Sequence, residues 1–288
     1  MTAPEPAQLL ITGANGRVGQ LLIGAFDQMT EQVVFAHRSA SRLTARHAEI
    51  RWAPMDGPEP LVKWVSTNGV PQAMLVLAGS TPSTGENMTI NIALAEASLS
   101  AARLAGIGRI FLASSSGVYG YGSDTAWAEV DPVDPPSPYG KAKREMELAC
   151  TGTDVCALRI GNVAGADALL TNLSRPLRLD QFKTGAGPMR SYIGPKTLAR
   201  VVLALARHSG PLPPILNVGT PTPVDMTDLA AAAELPVVRQ PAPETAIERL
   251  TLDTTLLEKH VEFGDRDSNA ATMVAEWRSC QSYQRPAQ

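Results

Sequence analysis

Tyr139 and Lys143, four residues apart in Y-G-K-A-K, are a pair that can move a proton. On a helix that spacing puts both side chains on one face. There the ammonium would lower the phenol toward working pH and make it a usable acid or base. Upstream, the apolar run Arg109–Ala113 enters a run of small hydroxyls, S-S-S-G-V-Y-G at 114–120. A strand-end hydroxyl, Ser115 or Ser116, would hold a substrate oxygen beside the tyrosine. This is the chemistry of a carbinol or carbonyl, and it needs a hydride carrier.

The start of the chain has the form such a carrier requires. Residues 8–12 (QLLIT) are a short apolar strand running into G-A-N-G-R-V-G at 13–19. Apolar residues at Val18, Leu21, Leu22, Ala25 and Phe26 then follow helical spacing. Glycines at a strand-to-helix turn allow close backbone approach, and the helix N-terminus faces a pyrophosphate. The second strand, 33–36, ends in His37-Arg38-Ser39 with Arg42 close behind, and no acidic residue stands there. An acid would suit ribose hydroxyls; a cation and a hydroxyl suit a 2′-phosphate, which favours NADP over NAD. Asp56 follows a weak third strand at 50–52, either as an acceptor for an adenine amino group or as a turn residue.

Further along, 73–78 (AMLVLA) is apolar on both faces, as buried parallel strands are. It ends at Gly79-Ser80-Thr81-Pro82. Periodicity predicts helices over 87–105, from 139, and over 196–208, 226–235 and 270–277, with strands at 155–160 and 215–218. Residues 166–195 read as irregular. The alternation of strand and helix implies an α/β fold, a Rossmann-type doubly wound parallel sheet with a small C-terminal substrate lobe. Residues 1–165, joined by about 196–219, would form the dinucleotide domain; 166–195 and 220–288 would form the lobe. Strand ends Thr12, Ala36, Ala78, Ala113 and Ile160 then share one sheet edge, where ligands bind.

Composition removes other classes. The net charge is −3 with no long basic run, against nucleic acid or an anionic membrane as partner. No apolar run reaches the length of a membrane span, and MTAPEPAQ lacks the form of a signal peptide, so a cytoplasmic protein is expected. Cys150, Cys156 and Cys280 have no metal-ligand spacing and read as reduced and structural; no metal is expected.

Taken together, T-G-A-N-G-R-V-G (12–19), L-A-G (77–79), Asn91, S-S-S-G-V-Y-G (114–120), Y-G-K-A-K (139–143) and L-R-I-G-N-V-A-G (158–165) resemble the extended short-chain dehydrogenase/reductases, the group of nucleotide-sugar epimerases and dehydratases. The resemblance implies roles. Counting back from Tyr119, the catalytic hydroxyl falls on Ser115, with Ser116 its neighbour at the substrate. Tyr139 is the acid/base, and Lys143 binds the nicotinamide ribose and lowers the tyrosine. Gly13, Asn15, Gly16, Arg17, Val18 and Gly19 hold the pyrophosphate turn, Arg38 the 2′-phosphate, and Asp56 the adenine. Ala78 and Gly79 pack along the cofactor, Val163 lies near the nicotinamide, and Asn162 and Arg190 face the substrate.

The chain also departs from the family pattern. In R-S-Y-I-G-P-K-T-L-A, Ser191, Gly194 and Thr197 replace an Asp, a His and an Asp, which weakens the case for a nucleotide-diphosphate sugar. Ser116 and Gly117 stand where dehydratases carry acids, which disfavours dehydration. The resemblance therefore implies an NAD(P)-dependent oxidoreductase acting on a small sugar-like or otherwise polar substrate. An epimerase that retains its cofactor is the alternative, and a non-catalytic NADP-sensing protein a more distant one. Relatives pair through helices corresponding to 87–105 and 139–150, which implies a homodimer.

Overall fold

The computed structural model describes residues 8–38, 47–80, 88, 90–171 and 176–281. Its first half alternates β1 (Leu9–Thr12), α1 (Arg17–Phe26), β2 (Val33–His37), β3 (Ala48–Arg51), α2 (Glu59–Asn68), β4 (Ala73–Val76), α3 (Ile90–Leu104), β5 (Ile110–Ser115), α4 (Pro138–Ala149) and β6 (Val155–Ile160). Short elements follow: β7 (Asn162–Val163), α5 (Ala168–Thr171), β8 (Leu177–Gln181), β9 (Met189–Arg190) and β10 (Tyr192–Ile193). Then come α6 (Pro195–Arg207), β11 (Ile215–Val218), β12 (Val224–Asp225), α7 (Met226–Ala232), β13 (Val237–Pro241), β14 (Arg249–Leu250), α8 (Thr255–Glu258) and α9 (Ala270–Cys280).

Seven strands form one parallel sheet in the order β11-β6-β5-β4-β1-β2-β3. Successive residues on a strand point to opposite faces, so a sheet covered on both faces needs apolar residues at every position. Leu9, Ile11, Val33, Phe35, Ala73 and Leu75 pack with α1, α6 and α9. Leu10, Val34, Ala36, Met74 and Val76 pack with α2, α3 and α4. That is the doubly wound arrangement.

Two regions differ from the sequence expectation. Helix α2 had no clear periodic signal because it buries Leu61 and Val65 alone, one i, i+4 pair. The segment read as irregular contains β8, which pairs in parallel with β13, and β9, which pairs with β12 and β14. The two-residue β9 leaves no alternation to read, and the partners of both strands lie far along the chain. Among the described residues, no helix is long and apolar enough to cross a membrane.

Candidate active site

The proton-transfer helix is built locally. Ser137 is the N-cap of α4 and its hydroxyl accepts from the Gly140 N–H at 3.0 Å, with Pro138 in the first turn. S-P-Y-G-K therefore starts the helix one residue before Tyr139 and aims Tyr139 and Lys143 at the end of β5. Four residues further, Glu147 is buried against Arg159 of β6 at 2.9 and 3.0 Å, both side chains being 2 % exposed. Ser114 donates to Glu147 at 2.6 Å, and Arg159 donates to Tyr119 at 3.0 Å. Tyr119 in turn donates to Asn217 of β11 at 2.8 Å. This buried network ties α4 to three strands.

The three serines separate by what they bind. The Ser114 hydroxyl is turned to Glu147, and Ser116 is buried in a short 3₁₀ turn, Ser116–Val118. The Ser115 hydroxyl accepts from the Gly117 N–H at 3.1 Å and lies near enough to Tyr139 to pull its phenol down. Since its oxygen takes the Gly117 proton, its own proton is free to be donated.

Burial pushes the Tyr139 phenol up, while Ser115 and the charge of Arg17 pull it down. Lys143 is the cation expected to lower that phenol from the same helix face. Its ammonium lies 5.9 Å from the centroid of the tyrosine ring and donates to the Ala113 carbonyl at 2.6 Å. Burial lowers Lys143 itself to about 8, opposed by Glu147.

These groups open into a cavity of about 550 Å³, within the range of small-molecule sites. It is lined by Gly13, Asn15, Gly16, Arg17, Val18 and Gly19 at one end. Ser115, Tyr139, Lys143, Asn162 and Val163 line the other, with Gly79 between. Gly13 has φ +72°, and a Cβ there would stand 2.6 Å from the Ala78 N, so the glycine turn sits directly on the end of β4. Ala78 serves as that contact and does not line the cavity. Asn91, 1 % exposed, clamps the neighbouring loop by accepting from the Ser80 N–H at 2.6 Å and donating to its carbonyl at 3.2 Å.

A dinucleotide fits this end. The N-cap of α1 is Gly16, with no side-chain cap and no acid in the first turn, so the helix N-terminus presents open N–H groups to an anion. Gly13, Gly16 and Gly19 with Arg17 would hold the pyrophosphate.

Other expected residues lie elsewhere. Arg38, at the end of β2, and Asp56, in the turn Pro54–Asp56, are exposed and do not line the cavity. Ser39 and Arg42, with Thr81, Pro82 and Asn87, fall outside the described residues. Ser116 is not on the wall. Arg190 is not on it either: its guanidinium donates to the carbonyls of Met189 at 2.8 Å, Ile247 at 3.0 Å and Glu248 at 3.2 Å. The family departures have structural uses here. Ser191 accepts from the Leu252 N–H at 2.9 Å. Glu276 of α9 accepts from the N–H groups of Lys196 and Thr197 and from the Thr197 hydroxyl, capping α6. A Cβ at Gly194 would meet that carboxylate at 2.1 Å, so any larger residue would push the Glu276 cap aside.

Wall residues that sequence reasoning missed include Leu77, Ser80, Gly161, Ala166 and Asp167. Asp167 follows Asn162 by five residues in a stretch without periodicity, so no pattern marked it. The three cysteines are buried and unpaired, and burial pushes Cys156 up to about 12 and Cys150 and Cys280 to about 11. No metal-binding cluster occurs among the described residues.

Solved structures share the fold over nearly the whole chain. A UDP-glucose-4-epimerase from Stenotrophomonas maltophila with bound NAD and formylated UDP-arabinopyranose aligns with TM-score 0.74 at 20% identity, covering 97% of this chain and 100% of that one. MoeE5 in complex with UDP-glucuronic acid and NAD aligns with TM-score 0.71 at 22% identity, covering 94% and 99%. The NAD-dependent NDP-hexosamine 5,6-dehydratase TunA of tunicamycin biosynthesis aligns with TM-score 0.72 at 20% identity, covering 96% and 99%. No curated protein matches the chain. The model of one enzyme family matches residues 9–219, which hold the glycine turn, the serine, the tyrosine and the lysine, and the chain belongs to that NAD dependent epimerase/dehydratase family.

Proposed function

We propose that the protein is an NAD(P)-dependent oxidoreductase acting on a carbinol or carbonyl carbon of a small, polar, sugar-like substrate. One observation carries this reading. Ser115, Tyr139 and Lys143 line the same cavity as the uncapped N-terminus of α1. When bound, the nicotinamide supplies the hydride donor or acceptor. Ser115 then donates to the substrate oxygen while the Gly117 N–H holds its own oxygen in place. Tyr139 exchanges the proton on that substrate oxygen. Because burial keeps the phenol protonated at neutral pH, the resting site is set to donate to a carbonyl. Placed proton transfer of this kind is typically worth about 10²–10⁴ in rate.

The test follows nicotinamide absorbance with sugars, sugar acids and nucleotide sugars, the last class bound by the aligned epimerase and by MoeE5. Tyr139→Phe should keep dinucleotide binding and lose most turnover; full turnover on a verified substrate would overturn the assignment. Epimerisation uses the same side chains, and the aligned epimerase structures favour it as the second reading. Stoichiometric nicotinamide retained through purification would select it, and free exchange would select the dehydrogenase.

Two finer proposals accompany this one. Arg38, exposed at the end of β2 with no acid beside it, favours NADP, so Arg38→Ala should lower the NADP/NAD affinity ratio. Exposed Ile90 and Leu104 on α3 and Leu148 on α4, which packs against α3, support pairing with a second copy, testable by light scattering.

A further inference from the structure

Asp167 is a largely buried carboxylate on the cavity wall that the chemistry above does not use. Tyr192, 0 % exposed, donates its phenol proton to Asp167 Oδ2 at 2.6 Å, the length of a hydrogen bond to a charged acceptor. The other Asp167 oxygen takes, among the described residues, a long hydrogen bond from the Leu170 N–H, at 3.4 Å, and the backbone at Gly165 and Asp167 also favours its charged form. Among the described residues, no cationic side chain forms an ion pair with Asp167. The nearby cation, Arg190, is given over to three backbone carbonyls. A buried carboxylate with unused lone pairs and no cation is costly unless a donor reaches it.

A ligand in the cavity can supply that donor. Every described residue lining the cavity precedes position 168, and the C-terminal segments contribute none. The cavity therefore belongs to the dinucleotide path, and Asp167 stands in it with Val18, Val163 and Ala166. At the nicotinamide end, the base has one N–H donor group, its carboxamide.

We propose that Asp167, oriented by Tyr192, accepts a hydrogen bond from the nicotinamide carboxamide and rejects a negative group at that position. This rests on the dinucleotide reading above. It makes the site discriminate between the cofactor and its deamidated form, in which a carboxylate replaces the carboxamide and would face Asp167 as a like charge.

The experiment is a binding titration of the full chain. NAD⁺ or NADP⁺, whichever binds tighter, is compared with the corresponding nicotinic acid dinucleotide. The wild-type protein should prefer the amide form by at least about tenfold, the scale of one charged hydrogen bond gained or lost. Asp167→Asn, which accepts and donates without charge, should narrow that ratio severalfold. Tyr192→Phe, which frees the carboxylate to turn away, should narrow it too. A ratio near one in the wild-type protein overturns the proposal without any variant, as does a ratio unchanged by Asp167→Asn. General destabilisation would weaken both ligands together and leave the ratio alone. If neither NAD⁺ nor NADP⁺ binds the wild-type protein, the dinucleotide reading itself fails, an outcome distinct from binding without discrimination.

Discussion

Glu147→Gln is the perturbation that most directly tests how α4 is held. The substitution keeps the side-chain shape and one carbonyl oxygen but removes the charge. Arg159, 2 % exposed, then loses its only anion among the described ion pairs. Burial works against the Arg159 cation, but Glu147 and Tyr119 hold it firmly charged, so it cannot escape by losing a proton. Removing one partner of a buried pair typically costs about 3–5 kcal/mol. At roughly 2 °C per kcal/mol for a domain of this size, the melting midpoint should fall by roughly 6–10 °C. Urea denaturation should show a lower midpoint with an unchanged slope. The companion variant replaces both partners, Glu147→Leu with Arg159→Met, and should recover most of the loss, because no charge is left stranded. A single variant within about 1 kcal/mol of wild type would refute the reasoning, as would a double variant less stable than the single. The functional side runs through Lys143, whose ammonium Glu147 supports. Glu147→Gln should therefore move Lys143 further below about 8, raising the proportion of neutral amine at neutral pH.

Other outcomes follow from the same geometry. Lys143 lies lower in the folded chain (about 8) than its ordinary 10.5, so the unfolded chain binds more protons between those values. Its burial penalty is complete below about 8 and is relieved as pH rises to about 10.5. Relative to Lys143→Met, the wild-type protein should thus gain roughly 3 kcal/mol across that window, measured by denaturant titration at several pH values. Gly13→Ala faces both φ +72° and a Cβ 2.6 Å from the Ala78 N, and should lose dinucleotide binding with at least about 1–2 kcal/mol of stability. Burial holds the Tyr139 proton, so substrate oxidation should speed up from neutral to alkaline pH while carbonyl reduction does not. An oxidation rate flat over that range would count against Tyr139 as the base.

What the sequence alone determined is what short segments determine. Gly13, Gly16 and Gly19 mark a strand-to-helix turn because backbone approach is a local requirement. Y-G-K-A-K marks a helix face because the i, i+4 pair Tyr139 and Lys143 lies within little more than one turn. Strands apolar at every position announce a sheet covered on both faces. From these the parallel sheet and the meeting of the glycine turn with Tyr139 were legible. The tertiary structure decided the partners. Three adjacent serines are alike in sequence, and only packing turns Ser114 to Glu147 and sets Ser115 on the cavity wall with Tyr139. Arg17, from the glycine turn, adds a charge that pulls the Tyr139 phenol down at the shared cavity. Gly194 and Thr197 make room for Glu276, and Arg190 is taken up by carbonyls of the distant segment that leads into β14. Asp167 became visible through Tyr192, twenty-five residues on. Each of these rests on a contact between segments far apart in the chain, where no spacing or period carries a signal.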